Sequence, residues 1–172
     1  QDKDGTTQAV KVLNPNTEFH TERTYALLAS IFTSLAKKDA RFAPALMALD
    51  DIQEWIKGDI HFEGFLKHDQ AFRKAHNGYH IDKRYSIMIP ETYPPEDDRF
   101  IREQYIPGTN LTDLEGLLSQ GHDVRAIVRL IAKNFTEQIK RGLVHSDIHP
   151  GNIRVMGDKV VYLDRNFFLT LD

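Results

Sequence analysis

Cysteine is absent from the 172 residues. That excludes disulfides, thiolate zinc sites and cysteine nucleophiles together, and it fits a reducing compartment. No apolar run approaches the ~18 residues that a membrane-spanning helix needs. Neither charge sign dominates: 22 Lys and Arg stand against 25 Asp and Glu, a formal net charge of −3. A slightly acidic chain lacks the basic field of a general phosphate-backbone binder, so no nucleic-acid partner is expected. Internal repeats and low-complexity linkers are also missing. The stretch Gln1 to Thr7 is polar, without a signal-peptide core or a starting Met, and reads as the start of a fragment or a processed chain. What is present is ordinary for a globular protein, with 41% hydrophobic and 27% charged residues. The length suits one domain, or one large part of a bigger fold.

The patterning alternates between short β-rich segments and helical periodicity. Gln8 to Leu13 is rich in β-formers and is stopped by Asn14-Pro15, which predicts a strand. Apolar residues at 3/4 spacing predict helices over Thr21 to Lys38, Pro44 to Ile56 and Asp59 to Ala75. In the last of these, Asp69 is a polar exception among Phe62, Phe65, Leu66 and Phe72, whose aromatic stripe reads as core. Tyr85 to Ile89 and Phe100 to Ile106 read as outgoing and returning strands around the turn at Pro94 to Asp98. Asn110 or Thr112 is placed to cap a short helix ending near Leu118. Asp123 to Arg141 carries the apolar stripe Val124, Ile127, Val128, Ile131, Phe135 and Ile139, and Gly142 is its natural stop. Asn152 to Met156 and Lys159 to Leu163 predict a hairpin around Gly157-Asp158. This order predicts an α+β fold with antiparallel strands rather than a doubly wound parallel sheet.

The densest polar cluster is His145-Ser146-Asp147-Ile148-His149-Pro150-Gly151-Asn152, between the long helix and the last hairpin. Pro150 and Gly151 impose a loop, and loops on rigid scaffolds often carry function. Asp164 follows at the far end of the hairpin. Asp147, Asn152 and Asp164 supply the oxygen donors that a hard cation such as Mg²⁺ prefers. Asn152 and Asp164 are the candidate metal ligands, and Asp147 is the candidate group to orient an attacking hydroxyl or take its proton. The alternation of His145, Asp147 and His149 would also suit zinc, but that reading leaves Asn152, Asp164 and Lys11 without a role.

The loop resembles the protein-kinase pattern His-x-Asp-x-x-x-x-Asn, with Asp147 and Asn152 at the kinase spacing. Asp164 matches the metal-binding Asp of Asp-Phe-Gly, and Lys11 in Ala-Val-Lys-Val matches the lysine of Val-Ala-Ile-Lys. The form His-x-Asp-x-His-Pro-Gly-Asn is more particular, and it resembles the UbiB-type (AarF-related) atypical kinases. Lys11-Val12-Leu13-Asn14-Pro15 is similar to that family's Lys-Val-x-x-Pro, and Gln104 to Gly108 resembles its hinge, where Glu usually stands at Gln104. The resemblance runs from Lys11 to the end. Two departures stand out. No Gly-rich or Ala-rich nucleotide loop precedes the lysine strand, and Arg165-Asn166 occupies the place of Phe-Gly.

The resemblance implies a protein-kinase-like fold, truncated to most of a small lobe (1–108) and the start of a large lobe with the catalytic loop (109–172). It implies ATP and Mg²⁺ as cofactors. Lys11 would hold the α/β-phosphates, positioned by Asp59 or Glu63; Gln104 and Ile106 would meet the adenine through backbone groups; Asn152 and Asp164 would hold Mg²⁺. His149 would contact phosphate or shape the Pro-Gly turn, and His145 would support the loop. It further implies a lipid or quinone-precursor substrate linked to ubiquinone or lipid metabolism. Expected locations are the cytoplasm or a membrane surface, mitochondrial in a eukaryote, with any peripheral membrane association supplied by segments outside this sequence. A soluble-substrate phosphotransferase of the aminoglycoside or choline kinase type is the alternative enzyme, and a pseudokinase or structural subunit the alternative without turnover.

Overall fold

The computed structural model of the protein describes residues 7–12, 17–49, 62–94, 100–165 and 168–171. In chain order, β1 (Gln8–Val12) is followed by α1 (Thr17–Lys38) and a 3₁₀ turn at Ala40–Phe42. A helix at 43–49, α2, continues from that turn. Then come α3 (Phe62–His76), β2 (Ser86–Met88), β3 (Thr92–Tyr93), β4 (Phe100–Gln104), β5 (Thr109–Asn110), α4 (Leu114–Ser119) and α5 (Val124–Lys140). β6 (Leu143–His145), a 3₁₀ turn at Pro150–Asn152, β7 (Ile153–Met156), β8 (Lys159–Tyr162) and β9 (Phe168–Thr170) complete the order. Asp59 and the second half of the predicted Pro44 to Ile56 helix lie outside the described residues.

Among the described residues three sheets result, ordered β1-β4-β3, β2-β8-β7-β5 and β6-β9. The mixed helix and strand class matches the sequence reading, but two pairings differ from it. β2 does not return against β4; it runs parallel to β8, with Ile87 opposite Val160. The partner that β4 meets across the Pro94 to Asp98 segment is the shorter β3, with Thr92 opposite Glu103. The reason lies in burial. Ile87 and Val160 are buried in one core with Ile153 and Val155, and the inward face of this segment, Tyr85, Ile87 and Ile89, buries more apolar area there than it would on the edge of the first sheet.

That core is built from Phe72 of α3, Leu117 of α4, Ile127 and Leu130 of α5, and the strands of the second sheet. On α5 the buried face runs through Ile127, Leu130, Asn134 and Gln138. Val128, Phe135 and Ile139 of the predicted stripe are exposed. Two amides displace them because they bridge elements. Gln138 Oε1 accepts from the His145 backbone N–H at 3.1 Å, and Gln138 Nε2 donates to Asn134 Oδ1 at 2.8 Å.

Helix ends follow local chemistry. Asp113, not Asn110 or Thr112, caps α4 by accepting from Gly116 N–H. Asn110 instead ties the site loop, donating from Nδ2 to Gly151 O at 2.8 Å. Asp123 caps α5 through Ala126 N–H. Gly142 ends the α5 segment with φ 71°, a left-handed turn that a side chain would strain. No helix among the described residues is long and apolar enough to cross a membrane.

Candidate active site

The cleft between the first two sheets has a volume of about 270 Å³ and is lined by Lys11, Glu103, Ile106, Asn152, Arg154 and Asp164, among others. Lys11 sits one residue before the end of β1, opposite Ile101 of β4. Its neighbours Val10 and Val12 are exposed on the other face. That alternation turns Lys11 towards the cleft. Lys11 Nζ donates to Asp164 Oδ1 at 2.7 Å, a pairing that spans 153 residues of sequence. Glu103 Oε2 lies 4.0 Å from the same Nζ. Asp59 lies outside the described residues, as does the side chain of Glu63, so the described carboxylates beside Lys11 are Asp164 and Glu103.

Asp164 follows β8 and is the non-glycine residue with positive φ among the described ones, at 52°. A carboxylate held in the left-handed region costs free energy, and such positions cluster at functional sites. Across the loop, Asn152 Nδ2 donates to Asp147 Oδ2 at 3.0 Å and to Asp147 O at 3.1 Å. With its amide nitrogen turned to Asp147, Asn152 keeps its carbonyl oxygen as the donor atom for a cation. Asp164 adds a half-exposed carboxylate. Two hard oxygen donors fit Mg²⁺, which is usually held by one or two protein oxygens and completed by water and phosphate.

His145 is 1% exposed and supports this loop. Its Nδ1 accepts from Asp147 N–H at 3.3 Å and its Nε2 donates to Leu163 O at 3.2 Å. Both ring nitrogens are thus engaged by backbone on either side of the site. Burial is the main cause that pushes its pKa down to about 4, so the ring is neutral near pH 7. His149 Nδ1 accepts from Gly151 N–H at 3.1 Å and caps the 3₁₀ turn, while Nε2 lies 3.9 Å from Asp147 Oδ2. Among the described residues no group of three or more His, Asp or Glu is placed to hold a metal.

In the hinge-like segment, Gln104 N–H donates to Glu91 O at 2.8 Å and Tyr105 N–H to Thr7 O at 3.4 Å. Arg154 Nη1 reaches up from β7 to donate to Ile106 O and Gly108 O, each at 3.2 Å. Gly108 permits the approach: a Cβ there would lie 2.6 Å from Val155 O.

The sequence reading missed Glu103, Arg154 and the partners of Arg165. Arg165 is 0% exposed and pairs with Asp69 Oδ1 of α3 at 2.7 Å. The signals were present separately, as a carboxylate on an apolar helix face and an arginine where a phenylalanine was expected. Charged groups on buried positions call for a partner, but nothing local says which.

Comparison with known proteins adds the family. A model of the ABC1 atypical kinase-like domain matches residues 1–170. The chain belongs to that family. It is 33% identical over 97 residues to AarF domain-containing kinase 1 of Drosophila melanogaster, covering 52% of this chain and 19% of that protein. It is 25% identical over 169 residues to the probable protein kinase UbiB of Shewanella baltica, covering 95% of this chain and 29% of that one. The ABC1 chain therefore spans less than a third of the length of these relatives. Among solved structures, Rv3197 from Mycobacterium tuberculosis, in complex with erythromycin, matches with a TM-score of 0.72 at 19% identity. It covers 98% of this chain and 41% of that one. That likeness shows a shared fold, and the matching domain description makes it kinase-like.

Proposed function

We propose that this ABC1 chain carries the nucleotide and metal site of an ATP- and Mg²⁺-dependent atypical kinase or ATPase. The observation that carries the reading is the convergence of Lys11 and Asp164 at 2.7 Å from opposite ends of the chain, in a cleft that Asn152 also lines. Residues 1–108 form the nucleotide-holding part and 109–172 the part with the catalytic loop. Lys11 binds phosphate oxygens, exchanging its contact with Asp164 for one with the nucleotide. Asn152 and Asp164 hold Mg²⁺, which when bound supplies neutralisation of phosphate charge. Asp147, oriented by Asn152 and by the His145 contact to its backbone, accepts a hydrogen bond from the attacking hydroxyl or water and takes its proton. Ile106 and its neighbours border the base, and His149 lies beside Asp147 for a phosphate contact. The family resemblance favours a lipid or quinone-precursor hydroxyl as acceptor.

The test is ADP and ATP binding with and without Mg²⁺ by the complete gene product and its Asp164→Ala variant. A Mg²⁺-dependent rise in melting temperature, lost in the variant, is expected. Equal stabilisation of both proteins would sink the metal assignment. Arg165-Asn166 in the place of Phe-Gly, directly after Asp164, favours a second reading, nucleotide binding without turnover. Phosphate release under single-turnover conditions separates the two: release supports the enzyme, and a stable bound ATP supports the pseudokinase.

A further inference from the structure

Arg165 is an unusual residue to find without solvent exposure directly beside a candidate metal ligand. Its guanidinium is fully enclosed and each of its three nitrogens has a polar partner. Nε donates to Asp69 Oδ1 at 2.7 Å and Nη1 to Tyr162 O at 2.9 Å. Nη2 donates to Pro90 O and to Thr92 Oγ1, each at 3.2 Å. Glu103 Oε1 lies 3.6 Å from Nη2, beyond hydrogen-bond length, while the other oxygen of Glu103 faces Lys11. One side chain therefore joins α3, the β2–β3 connection, β4 and the end of β8.

The next described residue along the chain is pinned to the same helix. Phe168 has ring-centroid distances of 6.5 Å to Phe65 and 5.2 Å to Phe72 of α3. Phe65, Asp69 and Phe72 recur at helical spacing on one buried face. Asp164, held at φ 52°, is followed by a polar anchor at Arg165 and, at the next described residue, an aromatic one at Phe168.

We infer that Arg165 is a positioning residue: through Asp69 and Glu103 it clamps the Asp164 loop to α3 and β4, so that the placement of α3 sets the placement of the metal-binding carboxylate. An arginine fork fits this task because five donors in a fixed plane can satisfy several acceptors at once. An apolar residue at the same place would pack the loop but would not define the direction of its backbone. The clamp also joins the two ends of the site, since Glu103 is shared between Arg165 and Lys11. The inference rests on the nucleotide and Mg²⁺ reading above, and goes beyond it in assigning control of the metal ligand to α3.

The test uses the complete gene product, its Asp69→Asn variant and its Arg165→Lys variant, each checked for a native near-ultraviolet spectrum. ADP affinity is measured with Mg²⁺ and with EDTA. The expected result is a loss of at least tenfold in the Mg²⁺-dependent gain in affinity, with the EDTA affinity unchanged within threefold. A Mg²⁺-dependent gain equal to that of the wild type in both folded variants overturns the clamp and leaves Arg165 a structural residue. A parallel loss in both conditions overturns it too. If the variants do not fold, amide exchange on the wild type decides. Protection of residues 163–165 that opens together with α3 supports the clamp, and free exchange of 163–165 beside a protected α3 overturns it. No ADP binding by the wild type in either condition overturns the nucleotide reading instead, and the clamp is then judged on exchange alone.

Discussion

At the scale of single residues, the site is a set of short polar contacts whose removal has separable effects. Lys11 and Asp164 touch each other at 2.7 Å, yet on the proposed reading they would serve different parts of a bound Mg-nucleotide. Lys11→Met is expected to weaken nucleotide binding with and without Mg²⁺. Asp164→Ala is expected to remove the Mg²⁺-dependent part alone. Calorimetric titration in Mg²⁺ and in EDTA distinguishes them, and identical losses in both variants would contradict the division of roles. His145 is a different kind of residue, bound at both ring nitrogens to backbone. His145→Leu leaves Asp147 N–H and Leu163 O without that partner, and a buried unsatisfied group costs about 1–3 kcal/mol. A urea unfolding series is expected to show a loss of about 3 kcal/mol in all.

At the scale of elements, α3 and α5 decide where the loop sits. Asp123 caps α5 by accepting from Ala126 N–H at 3.0 Å, and its other oxygen meets Arg84 at 2.8 Å. The cap is the larger contribution, because an exposed ion pair contributes little. Asp123→Ala is expected to cost about 1 kcal/mol, read as a lower melting temperature, and Asp123→Asn to recover most of it. The two buried amides of α5 explain why its stripe could not be read from hydropathy alone. Asn134 and Gln138 are buried because they extend a hydrogen-bonded chain from His76 on α3 to His145 before the loop. Polar residues on the inner face are tolerated when each finds a partner. Phe135 and Ile139 sit on the outer face, where periodicity had placed the core.

For the whole molecule, buried neutral histidines make stability depend on acid. Burial lowers the pKa of both His145 and His76 from 6.5 to about 4. The unfolded chain protonates these rings as pH falls through 6.5, whereas the folded chain resists until about 4, so the unfolded state binds more protons in that window. Their contribution is fully present above pH 6.5, is lost as pH falls towards 4, and changes no further below that. The urea midpoint is expected to be flat from pH 8 to pH 7 as far as these groups decide it, and to decline below. His145→Gln is expected to flatten part of that decline, and an unchanged slope would remove His145 as its cause.

The sequence by itself determined the parts that depend on local chemistry. Lys11 in a β-rich run, the His145 to Asn152 loop, the hairpin around Gly157 and the stop of the long helix at Gly142 all follow from neighbours within a few residues. The resemblance carried by those motifs was enough to name the family and expect its fold. Tertiary structure decided what depends on distant partners. β2 joins β8 because both are buried in one core, and Asp69 meets Arg165 across 96 residues. A buried charge must be paired, but only the fold brings a partner within reach. For that reason the clamp beside Asp164 stayed hidden in two unrelated anomalies of the sequence until the chain was seen folded.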